Sequence, residues 1–196
     1  MACTALTKGR GLDCNRVSGG VKYIYFGVYD TFTAPIDGTG IAVTNSEITD
    51  IEMDSGGLYR YTVPRGSTTA NDTITGSTEN GTLFYTPTVS MVLNKLTKED
   101  QNEIKLLGQT QVVCFAQLNA QLANGHDVIV GMGVVNGMSL NAGSADSGAA
   151  FGDRNGYTLT FDGLESKPFP LLEDYAAGST PFTNAGVTNL GGIVTS

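Results

Sequence analysis

Apolar and polar positions alternate through residues 58–93. In the second half of that stretch Leu83, Tyr85, Val89, Met91 and Leu93 fall on one side of a strand. Thr82, Thr86, Thr88 and Ser90 fall on the other, with Phe84 and Val92 as exceptions. A period of two marks a sheet with one apolar and one hydroxyl-rich face. Leu58-Tyr59-Arg60-Tyr61-Thr62-Val63 supplies a first arm, and residues 64–81 between the arms are rich in Thr, Ser, Gly and Asn. The pattern predicts one long β-hairpin with a polar tip. Strands usually run about 5–6 residues, and a hairpin that outgrows its domain tends to pair with another chain.

The rest of the chain predicts mostly strands. Residues 21–29 are β-branched and aromatic and follow Gly19-Gly20, the composition of a strand. Residues 31–39, with Pro35 and Asp37-Gly38, form a loop. Residues 41–43 form a short strand, and 47–53 a weaker, exposed one that ends in the turn Asp54-Ser55-Gly56-Gly57. Residues 111–118 are apolar on both faces, the mark of a central, doubly covered strand. Asn124-Gly125 turns the chain into a strand over 127–134, whose glycines permit bending. A short strand near 138–140 precedes a Gly-, Ala- and Ser-rich loop, and after Asn155-Gly156 the alternation of 157–162 gives the last strand.

Between them the period changes once. Thr97 caps a helix and Asp100 stands three residues on. Ile104, Leu107 and Leu96 share a stripe, Lys98, Glu99, Gln101, Asn102 and Lys105 point elsewhere, and Gly108 stops it. One such helix suffices to cover an open end or face of a β-barrel or sandwich. Ile104 and Leu107 are its packing residues, and Val113 and Phe115 those of the central strand. The expected fold is therefore mainly β: two packed antiparallel sheets in a small barrel or sandwich, one flanking helix and a long hairpin. Its domain runs from 21 to 165, with an N-terminal arm over 1–20. Pro168, Pro170 and Pro181 among Gly, Thr and Asn make 166–196 an extended C-terminal arm.

Composition narrows the function. A chain of 196 residues suffices for one domain that buries roughly 70% of its unfolded surface. Charged residues are 15%, against about 25% in ordinary domains. That fits a surface covered by partners and a plain Thr- and Gly-rich β protein equally well. A net charge of −8 argues against gripping nucleic acid through its phosphates, which takes Lys and Arg. It leaves open a protein past which nucleic acid slides. Cys3, Cys14 and Cys114 form neither a disulfide framework nor a metal pair. Residues 1–20 lack the apolar core of a secretory signal, and no run of about 20 apolar residues spans a membrane.

Site chemistry is sparse. His126, the sole histidine, sits in a turn beside Gly125 and Asp127 and reads as a surface residue rather than a general base. No Gly-x-Ser-x-Gly elbow, P-loop or dinucleotide fingerprint occurs. Asp146, Asp153 and Asp162 are too scattered for a calcium loop. Tyr23, Tyr25, Phe26 and Tyr29 could stack a base or a sugar, but read more simply as strand residues filling a core or a subunit seam. Neither a metal nor a cofactor is expected, nor an enzyme.

Two segments carry a resemblance. Thr97-Lys98-Glu99-Asp100-Gln101-Asn102-Glu103-Ile104-Lys105-Leu106-Leu107 follows a hairpin and precedes a doubly apolar strand. Gly152-Asp153-Arg154-Asn155-Gly156-Tyr157-Thr158-Leu159-Thr160-Phe161-Asp162-Gly163-Leu164-Glu165 ends the domain. Over residues 21–165 the chain resembles tail tube proteins of tailed bacteriophages, the contractile-tailed kind in particular. The resemblance implies two sheets packed at an angle with a flanking helix. It implies six copies in a ring, whose inner sheets join into one large barrel, and rings that stack. By the same resemblance residues 64–81 reach the adjacent ring, with Pro64, Arg65, Thr68, Thr69, Asn71, Asp72, Thr75 and Glu79 as contact residues. The partners implied are the chain itself, tail sheath and tube-end proteins, and DNA that passes through the lumen without specific binding, with no membrane. The place implied is the virion tail, assembled in the host bacterial cytoplasm. The termini match nothing in that family, which leaves open a tube-end or adaptor protein of the same fold. A virion decoration or receptor-binding β-sandwich module is the other class, and a small hydrolase on a β scaffold a third.

Overall fold

The computed structural model describes residues 9–11, 17–33, 41–172, 181–182 and 193–195. Its elements run β1 (Val21–Val28), β2 (Ile41–Thr44), β3 (Glu47–Ile51), β4 (Leu58–Thr62), β5 (Thr69–Ser77) and β6 (Thr82–Asn94). There follow α1 (Lys98–Leu107), β7 (Val112–Gln121), β8 (Asp127–Met132), β9 (Ser139–Asp146), β10 (Gly156–Asp162), β11 (Leu171–Leu172) and β12 (Ile193–Val194). Two sheets result, a larger one ordered β12-β4-β1-β7-β8-β11-β3-β2 and a smaller one ordered β5-β6-β10-β9. Pairing is antiparallel except where the short β11 and β12 lie parallel to β3 and β4. The sheets pack as a sandwich and do not close into a barrel.

Strand parity sorts the apolar residues into two cores. Ile24, Phe26, Val112, Cys114 and Ala116 of the larger sheet meet Val89, Met91, Leu159 and Phe161 of the smaller one. The alternate residues Tyr25, Val113 and Phe115 enter a second core on the far face of the larger sheet, with Phe32, Ile48, Ile51, Leu58 and Phe182. This is why β7 reads as apolar on both faces: both are covered, and Val113 and Phe115 are fully buried. Gly131 marks how closely β3 folds over β8, because a methyl group there would stand 2.7 Å from Ile48 Cδ1. The strand expected to be exposed over 47–53 is thus a core strand. Its acids obscure that Ile48 and Ile51 point inward.

The helix forms as its sequence specifies. Thr97 Oγ1 accepts from Asp100 N at 3.1 Å, Glu99 and Asp100 stand in the first turn and Lys105 in the last, each favourable to the helix dipole. Ile104 and Leu107 are half-buried against the inter-sheet core, while Leu96 lies exposed. Gly108 ends the helix in a right-handed conformation, φ −71°, so a left-handed cap is not what it supplies.

The long hairpin is real, but its arms differ from those the sequence suggests. β4 lies in the larger sheet against β1, in register Tyr23↔Thr62 to Phe26↔Tyr59. The partner of β6 is β5, in register Thr69↔Ser90 to Ser77↔Thr82. Half of residues 64–81 is therefore strand, and the turn is 78–81, where Gly81 takes φ 61°. β5 escapes notice because its inward positions are Ala70, Asp72, Ile74 and Gly76, which give no apolar alternation. β9 is likewise longer than the short strand expected near 138–140, since Gly, Ser and Ala conceal it. Residues 166–196, expected to be an extended arm, send β11 and β12 into the larger sheet. They also place Phe182 in the second core, ring centroids 4.8 Å from Tyr25 and 5.4 Å from Phe115. Most of the N-terminal arm, Cys3, Cys14 and the loop residues Pro35, Asp37 and Gly38 lie outside the described residues.

Candidate functional site

The smaller sheet has one covered and one open face. Its inward residues are Leu83, Tyr85, Pro87, Val89, Met91 and Leu93 on β6 and Tyr157, Leu159 and Phe161 on β10. The register places outward Thr69, Asn71, Thr73 and Thr75 on β5, Thr86, Thr88 and Ser90 on β6, Thr158 and Thr160 on β10, and Ser144 on β9, together with Phe84, the buried Val92 and Asp162. Hydroxyl groups dominate this face. The four strands contain no Lys, Arg or His. Arg154, in the turn before β10, reaches the end of the face, where its Nη2 donates to Thr158 Oγ1 at 2.6 Å.

Both edges of this sheet are long, and among the described residues they are unpaired. β5 has nine residues and β9 eight, each hydrogen-bonded to a described strand on one side only. The hairpin β5–β6 also runs beyond its support. Its inward-facing Ile74 and Leu83 are 66% and 58% exposed, so the core-facing side continues past the core.

The expected contact residues do not form one patch. Pro64 and Arg65 belong to a turn in which Ser67 Oγ donates to Pro64 O at 2.7 Å. Thr68 is buried. Thr69, Asn71 and Thr75 lie on the open face of β5, Glu79 sits in the hairpin turn, and Asp72 points inward.

Asp72 leads to a feature with no signal in the sequence. A cavity of about 440 Å³ between the smaller sheet and β8 is lined by Ile41, Val43, Asp72, Pro87, Met132, Val134, Glu165, Lys167 and Phe169 among others. Glu165 Oε1 accepts from Val135 N at 3.2 Å and Asn136 N at 2.9 Å. Its backbone bridges Tyr85 in both directions at 2.8 Å. Asp72 Oδ2 accepts from Phe169 N at 3.2 Å, and its Oδ1 is buried without a hydrogen-bond partner among the described residues. Burial pushes both carboxyls above their usual range, and Asp72 adds like-charge repulsion to Glu165. The pair ties β5 and β6 to the segment after β10. Ser46 also lines the cavity. Asp72 and Glu165 lie 93 residues apart, which is why spacing alone could not join them.

The remaining candidates are structural. Tyr25 Oη donates to Gln117 Oε1 at 2.8 Å, Gln117 Nε2 to Asp127 Oδ2 at 2.8 Å, and Lys22 Nζ pairs with the same carboxylate. This chain fastens β1 to β7 and β8. Of the aromatic group, Tyr25, Phe26 and Tyr29 are buried, and none forms an open stacking platform. His126 is half-buried in the β7–β8 turn, where Leu122 N donates to its carbonyl at 2.8 Å. Cys114 is buried, and its thiol is pushed far up by burial, which makes it inert. No group of three metal-ligating side chains occurs among the described residues, and no helix among them is long and apolar enough to cross a membrane. Comparison with protein-family models, with curated proteins and with solved structures finds no match.

Proposed function

We propose that this chain is the structural subunit of a hollow tube of the phage-tail kind. Copies join edge to edge through β5 and β9, closing into rings whose smaller sheets make one continuous wall. The rings stack through the projecting end of the β5–β6 hairpin. The observation that carries this reading is the smaller sheet itself: two long edges open among the described residues, and an outer face rich in hydroxyls whose strands carry no cation, with Arg154 alone reaching its end. Lys and Pro, which blunt such edges in proteins that stay monomeric, are absent from β5 and β9; the guards present are the inward Asp72 of β5 and the irregularity where β9 pairs with β10. A heterologous contact of this kind closes into a ring when its rotation permits and repeats along the axis where it does not.

The open face suits a lumen. Phosphates find no fixed cations along its strands, so DNA passes without the counterion release that drives tight binding. By its resemblance to tail tube proteins the ring is sixfold, with sheath and tube-end proteins as further partners and the virion tail as its place. Native mass spectrometry and negative-stain microscopy on one preparation test the proposal. Rings or hollow tubes are expected. A protein that stays monomeric at high concentration, in discrete particles, refutes it and favours a decoration or receptor-binding module.

A further inference from the structure

The turn between β9 and β10 displays Phe151 fully exposed on a loop that is held in shape. Asp146 Oδ1 accepts from Gly148 N at 2.9 Å, and Asp153 Oδ2 accepts from Ala149 N at 3.0 Å and Ala150 N at 2.7 Å. The hydrogen bonds from the Ala150 and Ala149 amides hold the Asp153 carboxyl below its ordinary range. Lys95 N donates to Asn155 O at 2.7 Å and Leu96 N to Asn155 Oδ1 at 3.0 Å, fastening the loop to the start of the helix. A large apolar ring held outward on an ordered loop has little conformational entropy left to lose on docking.

The same chain carries a hollow that fits it. Between α1 and the larger sheet lies a cavity of about 230 Å³, lined by Phe26, Gly27, Tyr59, Tyr61, Leu106 and Leu107. Leu106 is 56% and Tyr59 42% exposed, so its mouth is apolar and open. An apolar cavity of about 150 Å³ is enough to take up benzene, which leaves room here for a phenyl ring and its methylene. Charge agrees as well. Glu103 stands on the cavity wall. Burial, and then Glu103 and Asp100, push the Tyr61 phenol up to about 12. On the other side, Arg154 follows Phe151 by three residues, and no ion pair of Arg154 occurs among the described residues.

We propose that Phe151 of one copy seats in the hollow between α1 and β4 of a second copy, with Arg154 beside Glu103. This rests on the reading that copies of the chain associate, and adds which surfaces meet besides the sheet edges. The contact is heterologous, knob on one face and hole on another, as a repeating assembly requires. A buried aromatic anchor of this kind is the usual centre of an interface.

The test places the photo-cross-linker p-benzoylphenylalanine at position 151 and mixes that protein with heavy-isotope-labelled wild type before assembly. Irradiation is expected to give mixed-isotope cross-links from position 151 to residues 59–61 or 103–107. In parallel, Phe151→Ala and Leu106→Asp are each expected to raise the concentration at half-assembly by roughly tenfold or more. Both side chains are exposed, so the circular dichroism spectrum and the melting temperature of the subunit are expected to stay unchanged. Wild-type assembly in which position 151 cross-links elsewhere, or in which Phe151→Ala assembles like wild type, overturns this contact and leaves the ring reading standing. Wild type that never assembles overturns both.

Discussion

Replacing residues 75–84 with Asn-Gly separates what the hairpin does for its own subunit from what it does for a neighbour. Ile74 and Tyr85 face each other in the register of β5 and β6, and Asn-Gly is the two-residue turn that joins such a pair. The excised segment is exposed or half-buried throughout. Its largest apolar side chains, Leu83 and Phe84, remain 58% and 38% exposed. A fully buried Leu or Phe contributes about 1.5–3 kcal/mol, so their partial burial amounts to about 2–3 kcal/mol together. Ordering backbone costs about 1–2 kcal/mol per residue, and the shortened chain has about eight fewer residues to order, which offsets both that burial and the lost ladder bonds. The subunit is expected to keep its fold and to melt within about 4 °C of wild type, the shift that about 1 kcal/mol produces at this size. Stacking is expected to fail, so that rings form and tubes do not. Circular dichroism and electron microscopy on one preparation read both outcomes. Tubes of normal length refute the stacking role, and a shortened protein that does not fold shows that the tip belongs to its own subunit's core. Excising residues 64–81 is a different experiment: it removes β5, strips β6 of its partner along nine rungs, and is expected to prevent folding.

Three further outcomes follow from the packing. Asp72 is pushed above its usual range in the folded chain, so its protonated form is favoured there. Its contribution is favourable below the unfolded pKa and is lost as pH rises through the folded one; Asp72→Asn is therefore expected to raise the melting temperature at neutral pH and to gain nothing in acid, and a gain independent of pH counts against the burial argument. At Asp127 burial alone would raise the pKa, but hydrogen bonds from Lys22 and Gln117 outweigh it and hold the carboxyl low. Its contribution is present above the unfolded pKa and is lost as pH falls through the folded one, so Asp127→Ala is expected to cost about 1–3 kcal/mol at neutral pH by stranding Gln117, with the difference from wild type shrinking in acid urea titrations. Phe161→Ala removes a fully buried ring 4.7 Å from that of Phe26 and is expected to cost about 3–5 kcal/mol; equal denaturation midpoints would show that the inter-sheet core is misassigned.

Elements were legible where packing imposes a pattern on the residues. The helix carries its cap, its stripe and its stop in one stretch, and β7 carries two buried faces as an unbroken apolar run. β10 alternates because only one of its faces is covered. β5 gave no such sign, since its inward face reaches the edge of the core and needs only Ala70 and Asp72 there. The pairing of β4 with β1 instead of β6 was hidden for a different reason. An apolar arm followed by a polar stretch and another arm reads as a hairpin, and nothing local tells which sheet each arm joins. The candidate site divides the same way. The hydroxyl face was visible in the threonines of β6, but the edge β5 and the Asp72–Glu165 cavity depend on contacts between distant residues.

Threonine is what reconciles the low charge with the open face. A strand exposed on one side needs outward residues that favour extended backbone, and Thr does so through its branched Cβ. Lys and Arg would keep the same face soluble, and at the edges would repel an incoming strand. Lys22, Arg60 and Lys98 belong to the larger sheet or the helix, whereas the four strands of the smaller sheet carry none. Arg154 at the end of the face apart, cations are thus missing from the strands where they would guard the edges against pairing and where they would hold a polyanion. The proposed tube would account for both omissions: edges met by the next copy, around a wall past which DNA slides.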